Sequence, residues 1–276
     1  MATLELGALV HQIDSSVYQF FNSMRGDWLI DRVVAEEEGN ELLKGGIALA
    51  AYCYAWFRGG PAQNERRKRI VTVVLATLAA VAIARILAVA LPFRVRPMYQ
   101  PTLPHAAFGT PINPNMEQWS SFPSDTAAYF FGLAFGMFYV LRPLGTPMLL
   151  FAAIWVSVPR MYVELHYFTD IAGGATIGIL TVWGALQSRW MRGTVARQAL
   201  QFAEDRPGLF HTLTFLLALE MANMFDGVRS LLHGFRRVLE ERPQYATLIV
   251  GGTLAVMLLV AGVAAYTIAV RRRRLA

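Results

Sequence analysis

The apolar residues of this chain come in long blocks, and the charge is confined to the short stretches between them. No other feature constrains the fold as much. Ile70–Leu91 is one such block, with Arg85 as its sole charged residue. Further blocks are Leu42–Phe57, Thr126–Leu141, Met148–Val158, Ile171–Leu186 and Leu248–Val270. A helix of about 20 apolar residues crosses the hydrocarbon layer of a bilayer. Within that layer each backbone N–H and C=O must be satisfied inside its own segment, and an α-helix does this. The expected fold is therefore an all-α integral membrane protein with about six to seven transmembrane helices. The composition fits: 55% hydrophobic and only 16% charged, with a mean hydropathy of +0.40, where soluble domains carry about 25% charge.

The net charge is +6, and its placement decides what it means. The stretch 58–69, RGGPAQNERRKR, holds five basic side chains beside two apolar blocks. Short basic loops flanking spans mark the cytoplasmic side, whereas a nucleic-acid surface would cluster them on a folded face. With 58–69 inside, the Arg-bearing loops 142–146 and 187–198 also fall inside. The loop 92–124 and the stretch 160–170 then fall together on the opposite face.

Three regions follow from this layout. Residues 1–41 read as interfacial amphipathic helices, with Leu6, Val10, Ile13, Val17 and Phe21 at helical spacing. They lack the basic and apolar succession of a cleaved signal. Residues 42–190 form the membrane core. Residues 191–276 form a membrane-attached extension with a final transmembrane helix, Leu248–Val270. Between the fifth and last spans, either Leu209–Phe225 crosses or a long amphipathic helix over about 208–241 lies on the surface. The charge rule leans to the crossing. The single cysteine, Cys53, lies in an apolar run and reads as buried and inert. Trp119 and Tyr162 read as interfacial belt aromatics.

The stretch RMYVELHYFTD, residues 160–170, sets three ionisable groups between two apolar blocks. Such groups in a membrane protein are costly and mark function. Asp170 follows His166 by four residues, which is one turn on a helix. A carboxylate there accepts from imidazole Nδ1–H and leaves Nε2 as a more basic nucleophile. On the same face stand Arg94 and Arg96 after the second block, and Ser124, Asp125 and Thr126 at the start of the third. Arginines fork onto phosphate oxygens, and a helix N-terminus offers free N–H groups to an anion. Nucleophilic histidine, orienting aspartate and arginine cradle suit phosphoryl transfer through a phosphohistidine. No cofactor is implied, and no metal-ligand spacing is present.

FRVRP, SFPSDTA and R-x5-H-x3-D, in this order and each beside a span, resemble the three motifs of the type 2 phosphatidic acid phosphatase (PAP2) superfamily. The resemblance covers about residues 40–190. It implies a metal-independent membrane lipid phosphatase, with His166 as nucleophile and Asp170 as its partner. Arg96 and Arg160 would be phosphate ligands, helped by Ser124 and the backbone at Asp125. The layout, with a long outer loop before FPSD, is similar to the bacterial undecaprenyl pyrophosphate phosphatases. It implies a bacterial inner membrane and a site facing the periplasm. The partners implied are a lipid phosphate or pyrophosphate substrate and membrane lipids.

Two positions depart from the pattern. Val89 stands where the first motif has a lysine, and Arg85 or Arg94 is expected to substitute. Thr126 stands where the second motif ends in a histidine that protonates the leaving oxygen. A threonine hydroxyl cannot act as that acid. A lipid alkoxide needs the proton, whereas a phosphate leaving from a pyrophosphate does not. Thr126 therefore favours a polyprenyl pyrophosphate, unless His105 supplies the proton. The competing reading is a catalytically weakened homologue that transfers phosphoryl groups or binds a lipid or partner protein.

Overall fold

The computed structural model describes residues 2–103 and 114–227. His105 and Leu248–Val270 lie outside the described residues. Ten α-helices appear there: α1 (Ala2–Met24), α2 (Trp28–Glu38), α3 (Ile47–Phe57), α4 (Gln63–Ala90), α5 (Asp125–Val140), α6 (Arg142–Leu150), α7 (Ser157–Tyr162), α8 (Phe168–Gln187), α9 (Ala196–Asp205) and α10 (Pro207–Ala222). A π turn over Leu42–Gly46 leads into α3, and another over Phe151–Val156 joins α6 to α7 in one rod. The described residues contain no strand, as the apolar blocks require. One unit spans Met1–Met224, and a second begins at Phe225.

Among the described residues, three helices are long and apolar enough to cross a membrane: Gln63–Ala90, Arg142–Tyr162 and Phe168–Gln187. Leu42–Phe57 and Pro207–Ala222 are apolar but shorter. The rod Arg142–Tyr162 is longer than the expected block Met148–Val158, because the helix continues through the arginine-bearing turn before it. After Ala222 the helix stops, with Met224 and Phe225 in the left-handed region at φ 52° and 60°. The single amphipathic helix over 208–241 therefore does not form.

The core is built by α5 packed against α8 and α4. Small residues let the helices meet almost backbone to backbone, which is how membrane helices gain packing contact. A Cβ on Gly174 would lie 2.1 Å from the Ser124 carbonyl oxygen, and one on Gly178 would lie 2.2 Å from that of Ala128. Ala80 and Ala84 of α4 are fully buried. This close approach fixes the N-terminus of α5 against that of α8.

The basic stretch 58–69 does more than orient the chain. Pro61 precedes α4, and the last four basic residues lie on its first turns. Arg66 Nε donates to the Ala55 carbonyl at 2.7 Å, and Arg67 Nε to that of Trp56 at 3.2 Å. Arg69 NH1 donates to the Tyr139 carbonyl at 2.7 Å. Cations thus cap the C-terminal ends of α3 and α5, where orphan carbonyls and the helix dipole favour them.

The N-terminal helices pack against the rest of the bundle: α1 on α7 and α8, and α2 on α7. Phe21 joins Tyr162, Val163 and Leu165 in one apolar cluster. Arg25 NH1 pairs with Glu164 Oε1 at 2.7 Å, and Tyr18 donates to the same oxygen at 3.1 Å. Glu164 sits at φ 64°, a conformation that disfavours side-chain-bearing residues. The buried ion pair holds it there, so α1 fixes the sharp bend just before His166. Two further expectations fail. Cys53 is exposed on the face of α3 rather than buried. Tyr162 is buried and donates to Asp31 Oδ1 at 2.5 Å, so it is no belt aromatic.

Candidate active site

The chain reaches one end of the helical core from several directions. There α4 and α7 end, and α5 and α8 begin. The bend after α7 is tied to the long loop, because Met98 N–H donates to the Glu164 carbonyl at 3.0 Å. Ser121 N–H donates to the Arg94 carbonyl at 2.9 Å, and Ser124 N–H to that of Asp170 at 3.1 Å. These backbone bonds place the three motif segments side by side.

His166 is buried and precedes α8 rather than lying on it. Its Nδ1 is 2.9 Å from the Ser121 carbonyl oxygen and 3.6 Å from Asp170 Oδ2. The expected partner, Asp170, is thus the more distant of two acceptors. A carbonyl only accepts, so Nδ1 carries the proton and Nε2 carries the lone pair. Arg96 NH1 lies 3.3 Å from that Nε2 and also donates to the Leu165 carbonyl at 2.9 Å. Burial pulls the imidazole below its ordinary pKa, the Asp170 carboxylate opposes this, and the Arg96 and Arg160 charges reinforce it. Burial, then the nearby charge of Arg160, brings the Arg96 guanidinium down to about 10.

Asp170 is fully buried and capped within its own turn, accepting from Tyr167 N–H at 2.8 Å. Arg94 NH1 donates to Asp170 Oδ1 at 2.5 Å and to Thr169 Oγ1 at 2.8 Å. The other arm of Arg94 is paired with Asp14 of α1. Asp14 also accepts from Thr169 N–H at 2.9 Å and from the Thr169 hydroxyl at 2.7 Å. Arg94 therefore stands behind Asp170, not beside Nε2.

The start of α5 is also committed. Ser124 Oγ accepts from Ala127 N–H at 3.3 Å as the N-cap. Asp125 Oδ1 accepts from Thr126 N–H at 2.9 Å, and its Oδ2 pairs with Arg85 NH2 at 2.6 Å. Arg85 lies over the Trp119 ring, 4.9 Å from its centroid. Thr126 is buried. Val89 is 88% exposed, so position 89 points out of the bundle. Arg160 NH1 is 3.1 Å from Glu38 Oε1 of α2. Three buried donor atoms at this end have no hydrogen-bond partner among the described residues: Arg96 Nε, Arg160 Nε and Ser121 Oγ. Buried donors left unpaired are costly, and an anion accepts all three.

Asp14, Glu38 and Ser121 escaped the sequence reading, and Lys44, which by sequence snorkels at the end of the first span, is instead buried. A signal existed for Asp14, a carboxylate four residues after Val10 on the apolar stripe of α1. Among the described residues no group of three His, Cys, Asp or Glu converges as a metal site.

Residues 69–194 match the model of the PAP2 superfamily. The match takes in Arg85, Arg94, Arg96, Ser124, Asp125, Thr126, Arg160, His166 and Asp170, and leaves out Asp14, Glu38 and Lys44. It supports phosphatase activity. Among solved structures, the chain is similar to the first transmembrane PAP2 type phosphatidylglycerolphosphate phosphatase from Bacillus subtilis. That similarity has 18% identity and a TM-score of 0.41, over 64% of this chain and 85% of that one. No curated protein matches the chain.

Proposed function

We propose that this chain, which carries a PAP2 superfamily domain over residues 69–194, is a metal-independent membrane lipid phosphatase that works through a phosphohistidine at His166. The observation that carries the reading is the His166 tautomer. Its proton is held on Nδ1 by the Ser121 carbonyl, so the Nε2 lone pair faces the Arg96 guanidinium. Nε2 attacks the terminal phosphorus, the bond to the leaving oxygen breaks, and the electron pair departs on that oxygen. Arg96 and Arg160 neutralise charge on the transferring group. Water then attacks the phosphohistidine, releasing phosphate and returning the lone pair to Nε2. Asp170 and Arg94, braced by Asp14, hold the imidazole and stabilise the charge it gains.

Thr126 sets the substrate class. With no acid at that position, the leaving group must depart as a weak base, which a lipid monophosphate is and a lipid alkoxide is not. The substrate is a polyprenyl diphosphate or related lipid diphosphate. The basic loop 58–69 supports a site on the side away from the cytoplasm, facing the periplasm of a bacterial inner membrane. One observation favours a second reading, of a weakened homologue that transfers the group or only binds its lipid. Arg85, Arg94 and Arg160 are each paired with an internal carboxylate.

Phosphate release by purified protein in detergent separates the two. The phosphatase reading expects release from a polyprenyl diphosphate but not from phosphatidic acid, undiminished by EDTA and abolished in His166→Ala. Absence of release from every lipid phosphate, with the protein folded, supports the second reading.

A further inference from the structure

The Glu38 carboxylate lies between two cations. Arg160 NH1 is 3.1 Å from its Oε1, and Lys44 Nζ is 3.4 Å from its Oε2. Lys44 is almost completely buried in the π turn that opens the first apolar block. Its ammonium donates to the Glu38 carbonyl at 2.6 Å and lies 3.6 Å from Glu41 Oε1. A buried lysine needs an anion, and an arginine and a lysine on opposite oxygens of one acid group are also a phosphate's partners.

The carboxylate fills this seat poorly. Among the described residues Arg160 Nε has no hydrogen-bond partner, and Glu38 Oε2 has none beyond its 3.4 Å ion pair with Lys44. Both carboxyl oxygens of Glu37 are buried without a partner as well. Three carboxyl groups, Glu37, Glu38 and Glu41, thus crowd two cations, Lys44 and Arg160. Burial, then the Glu38 charge, pushes the Glu37 carboxyl up to about 7, while Lys44 and Arg160 oppose the rise. Arg160 also borders the His166 site, since its carbonyl accepts from Leu165 N–H at 3.0 Å and from His166 N–H at 3.3 Å.

We propose that Glu38 occupies the seat of the substrate's second phosphate, between Arg160 and Lys44, and that a lipid diphosphate displaces it. The inference rests on reading His166 and Arg96 as the seat of the terminal phosphate. The inner, lipid-linked phosphate then takes the seat of Glu38. Lys44 becomes its direct ligand and supplies from another helix the cation that position 89 lacks. Leu42, Leu43 and Ile47, exposed on the same segment, offer an apolar path for the chain beyond that phosphate. A lipid monophosphate has no second anion with which to displace Glu38, so the seat selects diphosphates independently of Thr126.

The test is equilibrium binding of inorganic pyrophosphate to the full-length protein in detergent, read by calorimetry. Glu38→Gln should tighten pyrophosphate roughly tenfold and Lys44→Met should weaken it roughly tenfold. Unchanged or weaker binding in Glu38→Gln overturns the proposal and makes Glu38 a structural brace. Should Glu38→Gln fail to fold, Glu38→Asp keeps the charge but cannot span both cations, and it carries the same expectation and the same refutation. The readout needs no turnover. If Glu38→Gln tightens pyrophosphate but no lipid phosphate is cleaved, the phosphatase reading fails and the seat stands. If release depends on His166 while Glu38→Gln leaves binding unchanged, the seat fails alone.

Discussion

At the scale of single residues, Thr126 is the position where chemistry and specificity separate. Restoring an imidazole there should add a general acid where the leaving oxygen departs. Thr126→His is expected to raise phosphate release from phosphatidic acid by ~10²–10⁴-fold, with a much smaller effect on a diphosphate. Equal cleavage of both substrates by the wild type would show that another residue already supplies the proton. Glu37 gives a second residue-scale prediction, on stability. Its carboxyl is raised to about 7 from the ordinary carboxylate range. The folded state therefore holds a proton that the unfolded chain releases earlier. That stabilisation is complete below the unfolded value and is lost as pH rises through about 7. Thermal denaturation in detergent should show the wild type losing stability as pH rises from the ordinary carboxylate range to about 7, by about 1–3 kcal/mol, and levelling off above it. Glu37→Gln should be flat over that window.

At the scale of elements, α1 carries a carboxylate to the back of the proposed His166–Asp170 pair. Asp14 engages Arg94 and Thr169, and Arg94 engages Asp170. Asp14→Ala should lower kcat by roughly ten- to a hundredfold through loss of alignment, with KM little changed. A drop in stability with kcat intact would assign Asp14 to packing alone. The element scale also shows what the sequence could and could not carry. His166, Asp170, Arg96 and Arg160 could be proposed from sequence because their spacing within short motifs reflects local geometry beside a helix end. The precise partner of His166 was not, because Asp170 was read on one helix with it, whereas the chain bends at Glu164 and brings Ser121 closer. Arg94 looked like a phosphate ligand because nothing local reveals that a helix far away in sequence claims it. Glu38 reads as one more surface charge in an acidic run until α2 is seen against α7.

At the scale of the whole molecule, the membrane class followed directly from the apolar blocks, since a continuous apolar segment satisfies its own backbone in lipid as a helix. The span count was less legible. Apolar length alone does not distinguish a full crossing from a shorter buried helix such as α5, of whose 16 residues most are packed against α4 and α8. The orientation rests on the basic loop, and it is open to test. Cys53 is the sole cysteine, so a Cys53→Ala background leaves the chain free for single reporters. A cysteine placed at Gly59 should resist a membrane-impermeant maleimide in intact cells, and one placed at Thr102 should react. The reverse pattern would put the site on the cytoplasmic face.

The claim on which the rest depends is that His166 Nε2 takes the phosphoryl group. A rapid quench of the purified protein with a terminally radiolabelled polyprenyl diphosphate, followed by peptide mapping, tests it. The account predicts a base-stable, acid-labile phosphoramidate on the peptide that contains His166, absent from His166→Ala. Label on another peptide, or phosphate release that persists at the wild-type rate in His166→Ala, would contradict it.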